Sequence, residues 1–142
     1  MNDSIADLLT RIRNAKMAEH KYVDVLYSKT NSGILKIFQE QGFIINYIPK
    51  VEEYRIRIFL RYRRDKIRTS AIRGLRRISK LSARRYVTCN QIPLVYGGFG
   101  TSVISTSRGI MDGKRAREEK LGGEHLCNCL LYTSDAADER SS

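Results

Sequence analysis

The spacing of apolar positions changes repeatedly along the chain, and each change predicts an element. Ile5, Leu8, Leu9 and Ile12 form the i, i+3, i+4, i+7 stripe of an amphipathic helix, with Asp3 or Ser4 placed to cap it. Arg11, Arg13 and Asn14 lie largely off that stripe, available to phosphate or to water. Tyr22-Val23-Asp24-Val25-Leu26 reads as a short strand. Ser28 is placed to cap a second helix with Ile34, Leu35 and Phe38 facing inward, and Gly42 to end it. Phe43 to Ile48 predicts a strand stopped by Pro49. Tyr54 to Leu60 alternates cleanly, Ile56 and Ile58 against Arg55 and Arg57, and residues 49–53 would join the two strands as a hairpin. The order α-β-α-β-β predicts helices packed on one face of a small antiparallel sheet.

Past Leu60 the pattern turns basic and mostly extended. Ile67 to Ile78 looks extended, interrupted by Gly74, and Arg84 to Thr88 reads as a strand. Gln91-Ile92-Pro93 reads as a short turn or helix, and Gly97-Gly98-Phe99-Gly100 as a flexible corner. Thr101 to Ser107 is a strand. Asp112 is placed to cap a short helix reaching about Lys120, Gly122-Gly123 breaks it, and Glu124-His125-Leu126-Cys127 begins a final strand. The expected fold class is α+β in two small domains. Residues 1–60 form the α/β domain, 61–66 a linker, and 67–128 a mostly antiparallel β domain with a short helix.

Composition narrows the function. An apolar content of 42 % over 142 residues is enough for a packed core. No run approaches a membrane span. The N-terminus opens directly on a helix pattern, so neither a signal nor a transit peptide is expected. The three cysteines, Cys89, Cys127 and Cys129, lack the ligand spacing of a zinc site and read as thiols in a reducing compartment. No metal or other cofactor is expected. The net charge of +11 is unevenly spread: +2 over residues 1–60, +11 over 61–128 and −2 over 129–142. A half so basic favours nucleic acid or an anionic surface. A solvated charged face usually mixes signs.

One segment in that half carries candidate chemistry. In Ile104-Ser105-Thr106-Ser107-Arg108-Gly109 an apolar strand runs into three hydroxyls, then an arginine, then a glycine suited to a turn at positive φ. Uncharged hydroxyls that both donate and accept suit ribose 2′-hydroxyls, base edges and phosphate oxygens in a shallow RNA groove. The plain alternative is a hydroxyl-rich turn capping its own backbone.

Several motifs resemble those of the small-subunit ribosomal protein S-eight family. Ile5-Ala6-Asp7, Leu9 to Ala15, Ser28-Lys29, Glu40, Gly42-Phe43-Ile44, Arg77-Ile78-Ser79-Lys80, Ile104 to Gly109, Gly122-Gly123-Glu124 and Leu126-Cys127 fall in the family's order over about residues 1–128. The wording of Leu60-Arg61-Tyr62-Arg63-Arg64 and Ser107 to Met111 is similar to plastid members. The resemblance implies a two-domain α/β protein that binds the central domain of small-subunit rRNA, in a plastid or bacterial ribosome. Its implied partners are that rRNA and the neighbouring proteins S-five and S-twelve, with no membrane or small-molecule substrate. Carried onto this chain, the main RNA contacts fall on Ser105, Thr106, Ser107, Tyr86 and Glu124. Arg108, Gly109, Arg84, Arg85, Lys80, Arg13, Asn14 and Lys29 complete the expected set. Tyr86 offers a ring for a base or ribose. Glu124 is expected to orient the loop hydroxyls or to accept from a base amino group, against a local cap or salt bridge as the alternative.

The chain departs from the family in two places. Leu81-Ser82-Ala83 stands where the family has Pro-Gly-Leu, which puts that turn and the placement of Tyr86 in question, and Arg85 replaces an aliphatic residue. Beyond Asn128, Cys129-Leu130-Leu131-Tyr132-Thr133-Ser134-Asp135 resembles the translation of a transposase sequencing adapter. Residues 129–142 are therefore expected to be a non-native tail that packs poorly. The alternative functions are a translational regulator binding messenger RNA through the same surface, or a hydrolase using the Ser-Thr-Ser segment. The second lacks a positioned base and a phosphate-binding glycine loop, so the chain is not expected to be an enzyme.

Overall fold

In the computed structural model, residues 4–62, 70–93 and 100–131 are described. Helix α1 (Ser4–Met17) buries Ile5, Leu8, Leu9, Ile12 and Ala15, the predicted stripe lengthened by one turn. Strand β1 (Tyr22–Leu26) follows as expected. The Ser28 hydroxyl accepts from Asn31 N–H at 3.0 Å and caps α2 (Lys29–Glu40), a bond that meets one of the unpaired donors of the first turn.

Strand β2 (Ile44–Lys50) runs through Pro49, where a stop was expected. Pro49 lies opposite Ile56 of β3 (Arg55–Leu60), and the strand order β1-β3-β2 makes β2 an edge. A proline is tolerated where its missing N–H faces away from the ladder. Tyr54, expected in the strand, instead takes a left-handed φ of 57° after a single 3-10 turn at Val51–Glu53. The alternation in β3 holds, with Ile56, Ile58 and Leu60 buried.

The linker expected at 61–66 lies outside the described residues from position 63. At its described end Ala71 N–H donates to the Arg61 carbonyl at 2.8 Å, and Tyr62 bridges Ser70. The extended stretch expected from Ile67 is strand β4 only from Ile72 to Arg77, and residues 67–69 are among those not described. Strand β5 is reduced to Tyr86–Val87, and a 3-10 turn covers Cys89–Gln91. The glycine corner falls outside the description up to residue 99. Strand β6 (Gly100–Thr106) then turns directly into β7 (Gly109–Asp112), a strand the sequence reading lacks. Asp112 caps α3 (Gly113–Glu118), accepting from Arg115 N–H at 2.8 Å. Strand β8 (Gly123–Leu131) closes the chain's described part.

The second sheet has the order β4-β8-β6-β7, with β5 also on β8. Its central strand β8 continues past the position where a tail was expected. Cys129 is fully buried beside Cys127, opposite Leu75 on β4 and Thr101 on β6, and Leu130 pairs with both Gly74 and Gly100. A thiol behaves as a small apolar side chain, so Cys127-Asn128-Cys129 continues the strand alternation. Helices α1 and α2 serve both sheets, α1 against β1 and β4, α2 against β2 and β7. One apolar core therefore runs from Leu8, Phe38 and Ile58 to Ile72, Val103 and Cys129. A smaller cluster of Ile92, Ile104, Met111 and Ala116 lies under α3, on the other face of the second sheet. Among the described residues no helix is long and apolar enough to cross a membrane.

Candidate nucleic-acid interface

The start of β8 and the end of β6 bring the predicted residues together. Glu124 lies opposite Tyr86 on one side and Ser105 on the other, and Ser105 lies opposite Ile110. Directly opposed residues share a face, so Tyr86, Glu124 and Ser105 form one row across three strands. Gly123 is what lets these strands close, since a Cβ there would meet the Ser105 carbonyl oxygen at 2.0 Å. At the edge of this row Tyr86 is 70 % exposed, with ring and hydroxyl open to solvent.

The hydroxyl segment divides by role. Thr106 Oγ1 donates to the Gly109 carbonyl at 2.7 Å and accepts from Arg108 N–H at 3.1 Å. It closes the Ser107-Arg108 turn, and Gly109 supplies the positive φ of 111° that the turn requires. For Thr106 the turn-capping alternative therefore describes the bonds that form. Ser105 and Ser107 have no side-chain partner among the described residues, and Ser107 is exposed. Arg108 is exposed and only loosely paired, 3.9 Å from Glu119.

Glu124 does not orient the loop hydroxyls. Its Oε2 accepts from the Ser79 hydroxyl and from Arg84 Nη1 at 3.0 Å. Burial pushes its carboxyl pKa up, but the Ser79 hydroxyl and the Arg84 guanidinium outweigh that and hold it below its ordinary value. Ser79, fully buried, also accepts from Arg85 N–H at 3.2 Å, and His125 N–H donates to the Arg85 carbonyl at 2.8 Å. Glu124 thus ties down the segment that carries Arg84, Arg85 and Tyr86. Between them the turn forms without the family's Pro-Gly. Lys80 and Ala83 exchange backbone bonds of 3.0 and 3.1 Å across Leu81-Ser82, neither of which needs a left-handed φ. Lys80 and Arg85 remain exposed.

The expected residues of the first lobe, made of α1, α2 and the first sheet, lie apart from this row, which belongs to the second lobe around the second sheet. Arg13 is half-buried and donates from Nη2 to the Leu75 carbonyl at 2.8 Å, anchoring α1 to β4. Asn14 is exposed on α1, and Lys29 is exposed in the first turn of α2. Two residues absent from the expected set matter. Ser79 has its partner 45 positions away, which no local pattern marks. Lys16 donates to the Ile72 and Arg73 carbonyls at 3.1 Å each, and its place three residues after Arg13 puts both on one helix face. Among the described residues no group of His, Cys, Asp and Glu is arranged to hold a metal.

A small α+β protein with open hydroxyls, a projecting tyrosine and basic side chains at one end of a sheet is equipped to bind an anionic, hydroxyl-rich polymer. The family described as Ribosomal protein S8 matches residues 3–130, and the chain belongs to that family. It is 52 % identical over 128 residues to the small ribosomal subunit protein uS8 of Chlamydia pneumoniae, covering 89 % of this chain and 95 % of that protein. The uS8 protein of Chlamydia abortus is 52 % identical over 129 residues, with the same coverage. That of Protochlamydia amoebophila is 48 % identical over 130 residues, covering 89 % and 96 %.

Proposed function

We infer that this chain is a structural constituent of the small ribosomal subunit that binds ribosomal RNA through its second lobe. The observation that carries the reading is the row Tyr86-Glu124-Ser105 across β5, β8 and β6, set in a half of the chain with net charge +11. Within it, Tyr86 stacks, Ser105 and Ser107 hydrogen-bond uncharged groups, and Arg85 and Arg108 meet phosphate, with Arg84 held beside them by Glu124. Glu124 works as a strut. The RNA in this reading is the central domain of small-subunit rRNA, and proteins S-five and S-twelve are the neighbours, both on family resemblance. We propose no catalytic role. The regulator and hydrolase readings are not favoured by a family of ribosomal proteins. The relatives named above are bacterial, which supports a bacterial cytoplasmic ribosome; the plastid reading keeps only the wording of Leu60–Arg64 and Ser107–Met111.

The test is a mobility-shift titration with a central-domain rRNA hairpin, with circular dichroism as the folding control. Replacing Ser105 and Ser107 by Ala is expected to weaken binding by roughly ten- to thirtyfold, at ~1 kcal/mol per hydrogen bond, with an unchanged salt slope because no charge is lost. Tyr86→Ala is expected to weaken it by about tenfold. Wild-type affinity in both folded variants would sink the role of this row.

A further inference from the structure

The described arginines differ in what holds them, and the difference marks a second surface. Several described arginines pair with a carboxylate, as Arg55 and Arg57 do with Asp24 and Arg84 does with Glu124. Others bind backbone carbonyls, as Arg13, Arg61 and Arg117 do. Arg77 is engaged as well. Those left without a side-chain partner are Arg85, at the hydroxyl end, and Arg73 and Arg76, both exposed on β4. β4 is an edge strand of its sheet. A register shift between Ile72 and Gly74 puts Arg73 outside the ladder, and its carbonyl and that of Ile72 are taken by the Lys16 ammonium. Arg13 reaches the same edge at the Leu75 carbonyl. Arg13, Lys16, Arg73 and Arg76 therefore crowd one strand, and no carboxylate among the described residues pairs with any of them. Burial lowers the Lys16 pKa; the Cys129 thiol opposes that, and the nearby Arg13 charge adds to it. Like charges gathered without a counter-ion are a cost that a polyanion would offset.

We propose that the outer edge of β4 is a second RNA contact, holding the phosphate backbone of the same RNA that the hydroxyl end reads. This rests on the ribosomal RNA reading above. The two contacts lie at opposite ends of β8. Glu124 marks the hydroxyl end, while Asn128 and Leu130 lie opposite Arg76 and Gly74, four to six residues on, or roughly 13–20 Å at strand rise. A short hairpin seated on the hydroxyl end leaves the β4 edge empty, and a longer transcript reaches both.

The experiment compares binding of the full-length protein to an isolated central-domain rRNA hairpin and to a full-length small-subunit rRNA transcript across a salt series. Replacing Arg73 and Arg76 by Gln is expected to weaken transcript binding by about tenfold and to flatten its log–log salt slope by roughly 1–2, the loss of one or two phosphate contacts. Hairpin affinity and slope should be unchanged. R73E/R76E should deepen the transcript loss alone, whereas R84Q/R85Q should weaken both probes. An equal loss on both probes, or none on the transcript, overturns the second contact. If the wild-type protein binds neither RNA saturably, it is the ribosomal RNA reading that fails.

Discussion

The two sheets use the same residue type to opposite ends. On the open face of the first sheet, Asp24 accepts from Arg57 Nε at 2.9 Å and Nη2 at 3.1 Å, and from Arg55 Nη1 at 2.8 Å. Arg57 also lies over the Tyr22 ring, 4.3 Å from its centroid. These guanidiniums are structural, and the face they form is nearly neutral. In the second sheet Arg73, Arg76 and Arg85 face solvent with no side-chain partner among the described residues, and the carboxylate of Glu124 holds a loop in place. Arginine count alone does not distinguish a binding surface from a braced one; pairing does. The sheets also differ in how they hold together. β3 pairs with two strands, whereas β8 holds β4, β5 and β6 at once.

That dependence on β8 gives the largest expected effect. Removing residues 129–142 deletes Cys129 from the core and the ladder to Leu75, Gly74 and Gly100. The expected loss is roughly 3 kcal/mol of unfolding free energy, from one buried side chain and several backbone bonds. A chain ending at Leu131 keeps all of these contacts. Denaturant titration of the two truncations should show the difference. Equal stability would mean that β8 contributes nothing beyond Asn128.

A smaller effect tests whether Glu124 acts as a strut. Ser79→Ala removes one of its donors and leaves Arg85 N–H without its acceptor. RNA affinity should fall by about tenfold with an unchanged salt slope, and Glu124→Gln should lower affinity to a similar extent. Because both break one network, the double variant should be little worse than either single one. Fully additive losses in a thermodynamic cycle would mean that the two residues act on RNA separately.

Much of the first lobe was legible because its signals are local. The stripe of α1, the Ser28 cap and the alternation of β3 each depend on a few neighbouring residues. Pro49 misled because a proline's effect depends on whether its strand is an edge, which only the pairing order decides. β7 was missed because Gly109-Ile110-Met111-Asp112 is too short to show a period. The end of β8 was misplaced because two thiols flanking an asparagine do not stand out as a strand, although both point into the core. The site divides in the same way. Ser105, Ser107 and Tyr86 were found from motifs, and the sheet sets Ser105 and Tyr86 in one row. Thr106 and Arg13 carry bonds within the fold, and the partners of Glu124 come from distant parts of the chain. Arg73 and Arg76 read as two more charges in a basic run until the pairing of the others separates them.

The smallest expected effect lies in the braced sheet. The Arg57 hydrogen bond is the largest influence on Asp24, and with the charges of Arg57, Arg55 and Lys50 it outweighs burial, so the Asp24 carboxyl pKa is lowered. A carboxylate with a depressed folded pKa contributes stability that is present above its unfolded value, near 3.8, and lost as pH falls through the folded one. Asp24→Asn removes that contribution. The pairs are partly exposed, with side-chain accessibilities of 25–36 %, so solvent screening limits the loss to about 1 kcal/mol at neutral pH. The gap between wild type and variant should then close on acidification, since protonated Asp24 no longer pairs. RNA affinity and salt slope should stay at the wild-type value if Arg55 and Arg57 only brace the sheet. A variant that binds RNA more tightly, with a steeper slope, would show that freeing these two guanidiniums makes the first sheet a phosphate surface, and that pairing with Asp24 is what keeps it from being one.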